Sequence, residues 1–209
     1  MASKELKRKA QVVRKTRETS IRLSLDLDDP GTTQIQTGVG FFDHMLTALS
    51  RHGRMSLEVE AQGDLHVDQH HLVEDVGIVL GTAFREALGT DLRIRRFAQA
   101  HAPLDDALAR AVVDISGRAF LHYGVTLART VVGGFDTDLV REFFQAFAAN
   151  AQLNLHIDLL HGENTHHQIE AIFKATALAL RDAVARDSTL KDVPSTKGTL
   201  TERAARENS

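Results

Sequence analysis

The feature that most constrains this chain is an element written twice, His70-His71-Leu72-Val73-Glu74-Asp75 and again His166-His167-Gln168-Ile169-Glu170-Ala171. Each copy stands between a short strand-like run and a long pattern of helical period. On a helix, residues four apart share a face, so His70 converges with Glu74 and His166 with Glu170. Adjacent residues diverge by about 100°, so the two imidazoles of one pair cannot easily grip one ion together. Each copy offers a two-donor clamp and one spare imidazole aimed elsewhere. Two metal sites that exchange their spare histidines are the expectation.

The segments around the two copies also recur. In the first half, Thr19 to Leu27 alternates apolar and polar as a half-buried strand. Asp28-Asp29-Pro30-Gly31 reads as a turn and Thr32 to Thr37 as the return strand. A helix is expected from about Phe41 to Ser50, then a strand through Met55, Leu57 and Val59. The His-His element and a helix ending near Gly89 follow. The second half offers a strand pair at Ala111 to Ser116 and Ala119 to Leu127, turning at Gly117. A helix from about Thr137 to Asn150, an alternating strand from Leu153 to Leu159, and the second His-His helix complete it. Residues 1–10 are charged and read as frayed, and Glu202 to Ser209 as a polar tail.

The economical reading is an α+β fold of two tandem β-β-α-β-α repeats, about 10–90 and 95–188, with two four-stranded sheets packed with helices. The region from 189 onward is a tail to this single unit. Aligning the halves with two extra residues in the first loop sets His44 opposite Glu142 and Leu57 opposite Leu155. Both members of the first pair are competent ligands.

The candidate sites are then His70, Glu74, His167 and Glu142 for one ion, and His44, His71, His166 and Glu170 for the other. The 209 residues contain no cysteine, so metal chemistry here must use imidazole and carboxylate, which suits Mn²⁺, Fe²⁺ or Zn²⁺. Asp68 and Asp75 are candidates to orient the ligand imidazoles, and either reads equally as an ordinary helix cap. His52, His66, His101, His122, His156 and His161 lack a repeated carboxylate partner and read as surface or satisfied core histidines. A net charge of -3 argues against a general nucleic-acid or membrane-surface role. With no apolar run of membrane-spanning length and no signal-peptide pattern, a cytoplasmic protein is the default.

These motifs resemble the two signatures of the imidazoleglycerol-phosphate dehydratase family. The resemblance extends to Gly40-Phe41-Phe42-Asp43-His44-Met45, Ala102-Pro103-Leu104-Asp105-Asp106-Ala107, Ser116-Gly117-Arg118 and Pro194-Ser195-Thr196-Lys197-Gly198, in order over roughly residues 5–200. Glu142 stands where the family often has histidine, and Asp106 where it usually has glutamate. The resemblance implies a fold of the ribosomal protein S5 domain 2-like kind. It implies dehydration of imidazole glycerol phosphate to imidazole acetol phosphate in histidine biosynthesis, through an imidazolate and a diazafulvene-like intermediate. Two Mn²⁺ ions per subunit would bind the two ring nitrogens, with Fe²⁺ or Zn²⁺ as substitutes.

By the same resemblance Glu18 is the acid/base, and Arg96, Arg118, Lys174, Ser195, Thr196 and Lys197 hold the substrate phosphate. The assembly implied is a large homo-oligomer, a 24-mer in the family, with metal sites between subunits. Two rivals fit the clamps alone: a two-metal hydrolase, and a non-catalytic shell protein whose ions only join subunits.

Overall fold

The structure is a computed structural model and describes residues 7–90 and 93–196. The first half runs β1 (Lys9–Lys15), β2 (Thr19–Asp26), β3 (Thr33–Gln36), α1 (Gly40–Gly53), β4 (Ser56–Gly63) and α2 (His70–Leu88). The second runs β5 (Phe97–Leu104), β6 (Ala107–Asp114), β7 (Phe120–Gly124), a short ribbon of β8 (Val131–Val132) and β9 (Phe135–Asp136), α3 (Leu139–Ala151), β10 (Asn154–His161) and α4 (Thr165–Ala183). The sheets have orders β1-β2-β4-β3 and β5-β6-β10-β7, so apart from the ribbon the halves share one topology. The expected α+β class with two four-stranded sheets is what the chain adopts.

Each unit has one more strand than the β-β-α-β-α reading contains. β1 begins in the segment taken as frayed: its inward residues are Ala10, Val12 and Arg14, too weakly apolar to announce a strand. β5 turns Ala98, Ala100 and Ala102 inward and carries Pro103, which is tolerated because the strand lies at a sheet edge. The expected return pairing of Thr32 to Thr37 is also corrected. β3 pairs parallel with β4, and β7 likewise pairs parallel with β10, so neither lies beside the strand that precedes it. The turn signal at Asp28 to Gly31 marks a crossing over the sheet end.

Inward residues of β2 (Ile21, Leu23, Leu25) and β4 (Leu57, Val59, Ala61) form one wall of the core. The alanines of β6 and the apolar Leu155 and Ile157 of β10 form the other. The helices lie between the walls: α2 packs on β1 and β2, α4 on β5 and β6. Each short helix crosses to the other half, α1 against α4 and α3 against α2. That exchange joins the halves into one core and sets His44 of α1 beside α4. Gly77 and Gly81 let α2 and α3 touch: a Cβ at Gly81 would lie 2.5 Å from the carbonyl of Phe147.

α1 and α3 end alike, at Arg54 and Gln152 in the left-handed region, with the next residues donating to Ser50 O and Ala148 O. Those matched ends put His44 and Glu142 at equivalent helix positions. None of the helices among the described residues is long and apolar enough to cross a membrane.

Candidate metal centre and active site

Both His-His pairs occupy the first turn of a long helix, where backbone N–H groups need acceptors. Asn164 caps α4, its side chain accepting from His166 N and His167 N. At the equivalent place before α2, the Asp68 carboxylate accepts from His70 N at 2.8 Å. Asp68, one residue ahead of the N-cap Gln69, thus bonds the helix start rather than an imidazole. Asp75 orients no imidazole either: it is buried and accepts from Arg14 Nε at 3.1 Å and from the Thr19 hydroxyl.

The adjacent imidazoles diverge as helix geometry requires. Their ring centroids are 6.2 Å apart in each pair, with planes at 88° in the first and 78° in the second. The leading histidine turns to its own clamp: His166 Nε2 lies 3.3 Å from Glu170, and His70 Nε2 lies 3.7 Å from Glu74. His44 Nε2 reaches the same Glu170 oxygen at 3.0 Å. Among the described residues, His44, His166 and Glu170 form one group of three whose ligand atoms lie within 4.8 Å of one another.

Two imidazole nitrogens on a shared carboxylate oxygen fit a divalent ion of borderline softness, and this is a metal-binding cluster. Phe41 supports it, meeting the His166 ring edge-on at 5.1 Å. Burial works to raise the Glu170 pKa, but the Lys174 ammonium and His44 outweigh it and hold it down to about 2. The ligand carboxylate is thus ionised, as metal binding requires.

The trailing histidines do not enter a clamp of their own protomer. His71 Nδ1 faces Asp64 at 3.1 Å, with Glu18 further out at 3.9 Å. Asp64 raises the His71 pKa against its burial, with help from Glu18. His167 Nδ1 faces Asp106 at 2.6 Å. Asp106 also accepts from the backbone N–H groups of Glu163 and Asn164, at 2.6 and 3.0 Å. Those bonds, the Glu163 one foremost, hold its carboxyl far below the usual range. In both cases the bonded nitrogen is Nδ1, and Nε2 is on the other side of the ring, in His167 3.7 Å from the exposed Asp105 carboxylate. Within the protomer His71 thus stays outside the group of three it was expected to complete. Glu142, bonded to Arg141 at 3.2 Å, does not close on His70 and Glu74 to form a second such group.

Glu18 sits in the tight turn between β1 and β2, fixed by Thr16 Oγ1, which accepts from the N–H groups of Glu18 and Thr19. Its carboxylate is 54% exposed, so it stands free beside His71. Of the expected phosphate ligands, Arg96 pairs with Asp114 at 2.7 Å and donates to the Pro194 carbonyl at 2.7 Å. It thereby draws the segment bearing Ser195 and Thr196 to the end of the second sheet. Ile115 N donates to Arg96 O, which brings the turn before the exposed Arg118 to the same end. Lys174 pairs instead with Glu170 at 2.7 Å, one turn along α4. Lys197 lies outside the described residues.

Asp64 and Asp106 are the functional neighbours that spacing did not single out. Asp64 lies in a loop, where no periodicity connects it to His71. Asp106 is remote from His167 in sequence and meets it only because the β5–β6 turn folds against the start of α4.

Known proteins share this arrangement. The family profile for imidazoleglycerol-phosphate dehydratase matches residues 37–180. The imidazoleglycerol-phosphate dehydratase of Oceanobacillus iheyensis is 55% identical over 193 residues, covering 92% of this chain and 100% of that one. That of Azorhizobium caulinodans is 55% identical over 194 residues, covering 92% and 98%. The crystal structure of the Staphylococcus aureus enzyme superposes with a TM-score of 0.79 at 45% identity, over 86% of this chain and 99% of that one. The enzyme from Pyrococcus furiosus gives a TM-score of 0.78 at 37% identity, over 90% and 99%. Metal-binding cluster, paired sheets and end-to-end sequence identity agree: this chain belongs to the imidazoleglycerol-phosphate dehydratase family.

Proposed function

We propose how this chain performs the metal-assisted dehydration of imidazole glycerol phosphate to imidazole acetol phosphate, the reaction of its family and a step of histidine biosynthesis. The observation that carries the reading is the convergence of His44, His166 and Glu170 from two helices of different halves. One divalent ion would be held there, with His71 of a neighbouring subunit as the further ligand. His70, Glu74 and Glu142, with His167 of a neighbouring subunit, would hold the other. Mn²⁺, two per chain, is the ion proposed, with Fe²⁺ or Zn²⁺ able to substitute. Bound at these residues, such ions would supply Lewis acidity toward the substrate ring.

The chain's own groups do the rest. Glu18 moves the carbon-bound proton: its carboxylate is exposed, lies beside a ligand histidine and is held by a rigid turn. Arg118, Ser195, Thr196 and Lys197 take the phosphate, with Arg96 anchoring the segment that bears the last three. Lys174, paired with Glu170, would add positive charge for the phosphate. The Nε2 atoms of His71 and His167 are what a large homo-oligomer, of 24 subunits in the family, would share between neighbours. The two halves work as one unit, since α1 and α3 each pack on the opposite half, and the cytoplasm is the location proposed for it.

Subunit complementation tests this assignment. His71→Ala and His166→Ala chains are each expected to be inactive, and mixed oligomers assembled from the two should regain activity. If each chain supplies all its own ligands, mixing restores nothing. Release of inorganic phosphate instead of imidazole acetol phosphate would favour the two-metal hydrolase.

A further inference from the structure

The two β-hairpins that open the halves are in register with each other. β1 and β2 pair Lys9 with Asp26, and β5 and β6 pair Phe97 with Asp114. Glu18 and Asp106 are therefore the same position, the residue before the second strand of the hairpin. Their surroundings differ. Among the described residues the Glu18 carboxylate faces His71, at 3.9 Å. Asp106 is bonded on both oxygens. Oδ2 accepts from Glu163 N and Asn164 N, and Oδ1 meets His167 Nδ1. In the first half Asp64, which follows β4, takes the equivalent task of meeting the trailing histidine.

We infer that Asp106 is a positioning residue, fixing the His167 ring so that Nε2 is the metal-binding nitrogen, and that Asp64 does the same for His71 and so releases Glu18 for chemistry. An ionised carboxylate only accepts hydrogen bonds, so the proton of a neutral His167 must sit on Nδ1. The lone pair is then on Nε2, on the far side of the ring. The inference rests on the reading of His167 and His71 as ligands, and it names what makes each of them a ligand through one particular nitrogen.

The division of contacts between the two Asp106 oxygens supplies a test. In Asp106→Asn the amide oxygen can still accept from Glu163 N and Asn164 N, keeping the turn in place. The amide NH₂ then faces His167 Nδ1 and donates to it. That favours the ring with its proton on Nε2, where the ion would bind. The full-length protein and this variant would be stripped of metal and titrated with Mn²⁺, with free Mn²⁺ followed by electron paramagnetic resonance. Thermal unfolding of the metal-free samples would be recorded beside it. We expect unchanged melting and assembly, with affinity for one ion per chain lower by about 10–100-fold. Asp64→Asn should weaken the other ion similarly.

Mn²⁺ binding by Asp106→Asn equal to that of the parent would overturn the positioning role and leave the metal reading standing. A loss of affinity matched by a loss of melting temperature would also overturn it, since a purely structural role predicts that. A parent that takes up no ion would sink the metal reading itself, and this inference with it.

Discussion

The two halves share a topology but use equivalent positions for different ends. In the first half, Arg14, Thr19 and Asp75 form a partly buried polar network beneath the turn that carries Glu18. In the second, the matching positions are Ala102, Ala107 and Ala171, all buried and apolar. Arg8 and Arg96 form another matched pair. Arg8 bonds Asp28 and the Val184 carbonyl, while Arg96 bonds Asp114 and the Pro194 carbonyl, next to the expected phosphate ligands. The shared topology sets the scaffold, and the differences mark where the halves diverge. The half with the exposed Glu18 carries polar support under its turn, and the half that locks its turn with Asp106 packs alanine.

The largest expected effect separates the two turn carboxylates. Glu18→Gln should lower turnover by about 10²–10⁴-fold with both ions still bound, as checked by metal content on the assayed sample. Asp106→Asn should act first on metal affinity, so saturating Mn²⁺ should recover much of its turnover. Equal behaviour of the two variants would break the comparison.

Next comes the polar network. Asp75→Ala strands the Arg14 and Thr19 donors and should cost about 2–3 kcal/mol, read by denaturant unfolding. Combining it with Arg14→Ala and Thr19→Ala rebuilds the apolar version found in the second half. The triple variant should recover part of that loss, because no donor is then left buried without a partner. A triple variant worse than Asp75→Ala would show that the network cannot be exchanged for its counterpart.

Gly81 faces α3 where the equivalent position of α4 is Ala177. Gly81→Ala should destabilise by about 1–2 kcal/mol, because its methyl would meet the Phe147 carbonyl. The smallest effect lies at Arg8 and Asp28. Burial works to raise the Asp28 pKa, and Arg8 outweighs it and lowers it. A folded-state pKa below the unfolded value stabilises above the unfolded value and is lost as pH falls through the folded one. The stability gap between parent and Asp28→Asn should therefore be open at neutral pH and close below about pH 4.

The repeat, the clamps and the equivalence of His44 with Glu142 were legible because each rests on local spacing, which helix geometry converts directly into direction. The first strand of each half was not, because Ala10, Val12 and Arg14, or a row of alanines ahead of Pro103, carry little apolar contrast. The parallel pairing of β3 and β7 was hidden for another reason: a turn signal says that the chain reverses, not which strand it will lie beside. The partners of the trailing histidines were invisible because Asp64 and Asp106 reach them from loops. Only the folded arrangement shows that Asp64, not Asp68, meets an imidazole.

The most direct test is turnover of imidazole glycerol phosphate by metal-stripped protein, with and without added Mn²⁺. The account predicts negligible activity after stripping and restored formation of imidazole acetol phosphate once Mn²⁺ is added. Full activity in the stripped protein, or none in folded protein that has taken up two ions per chain, would contradict it.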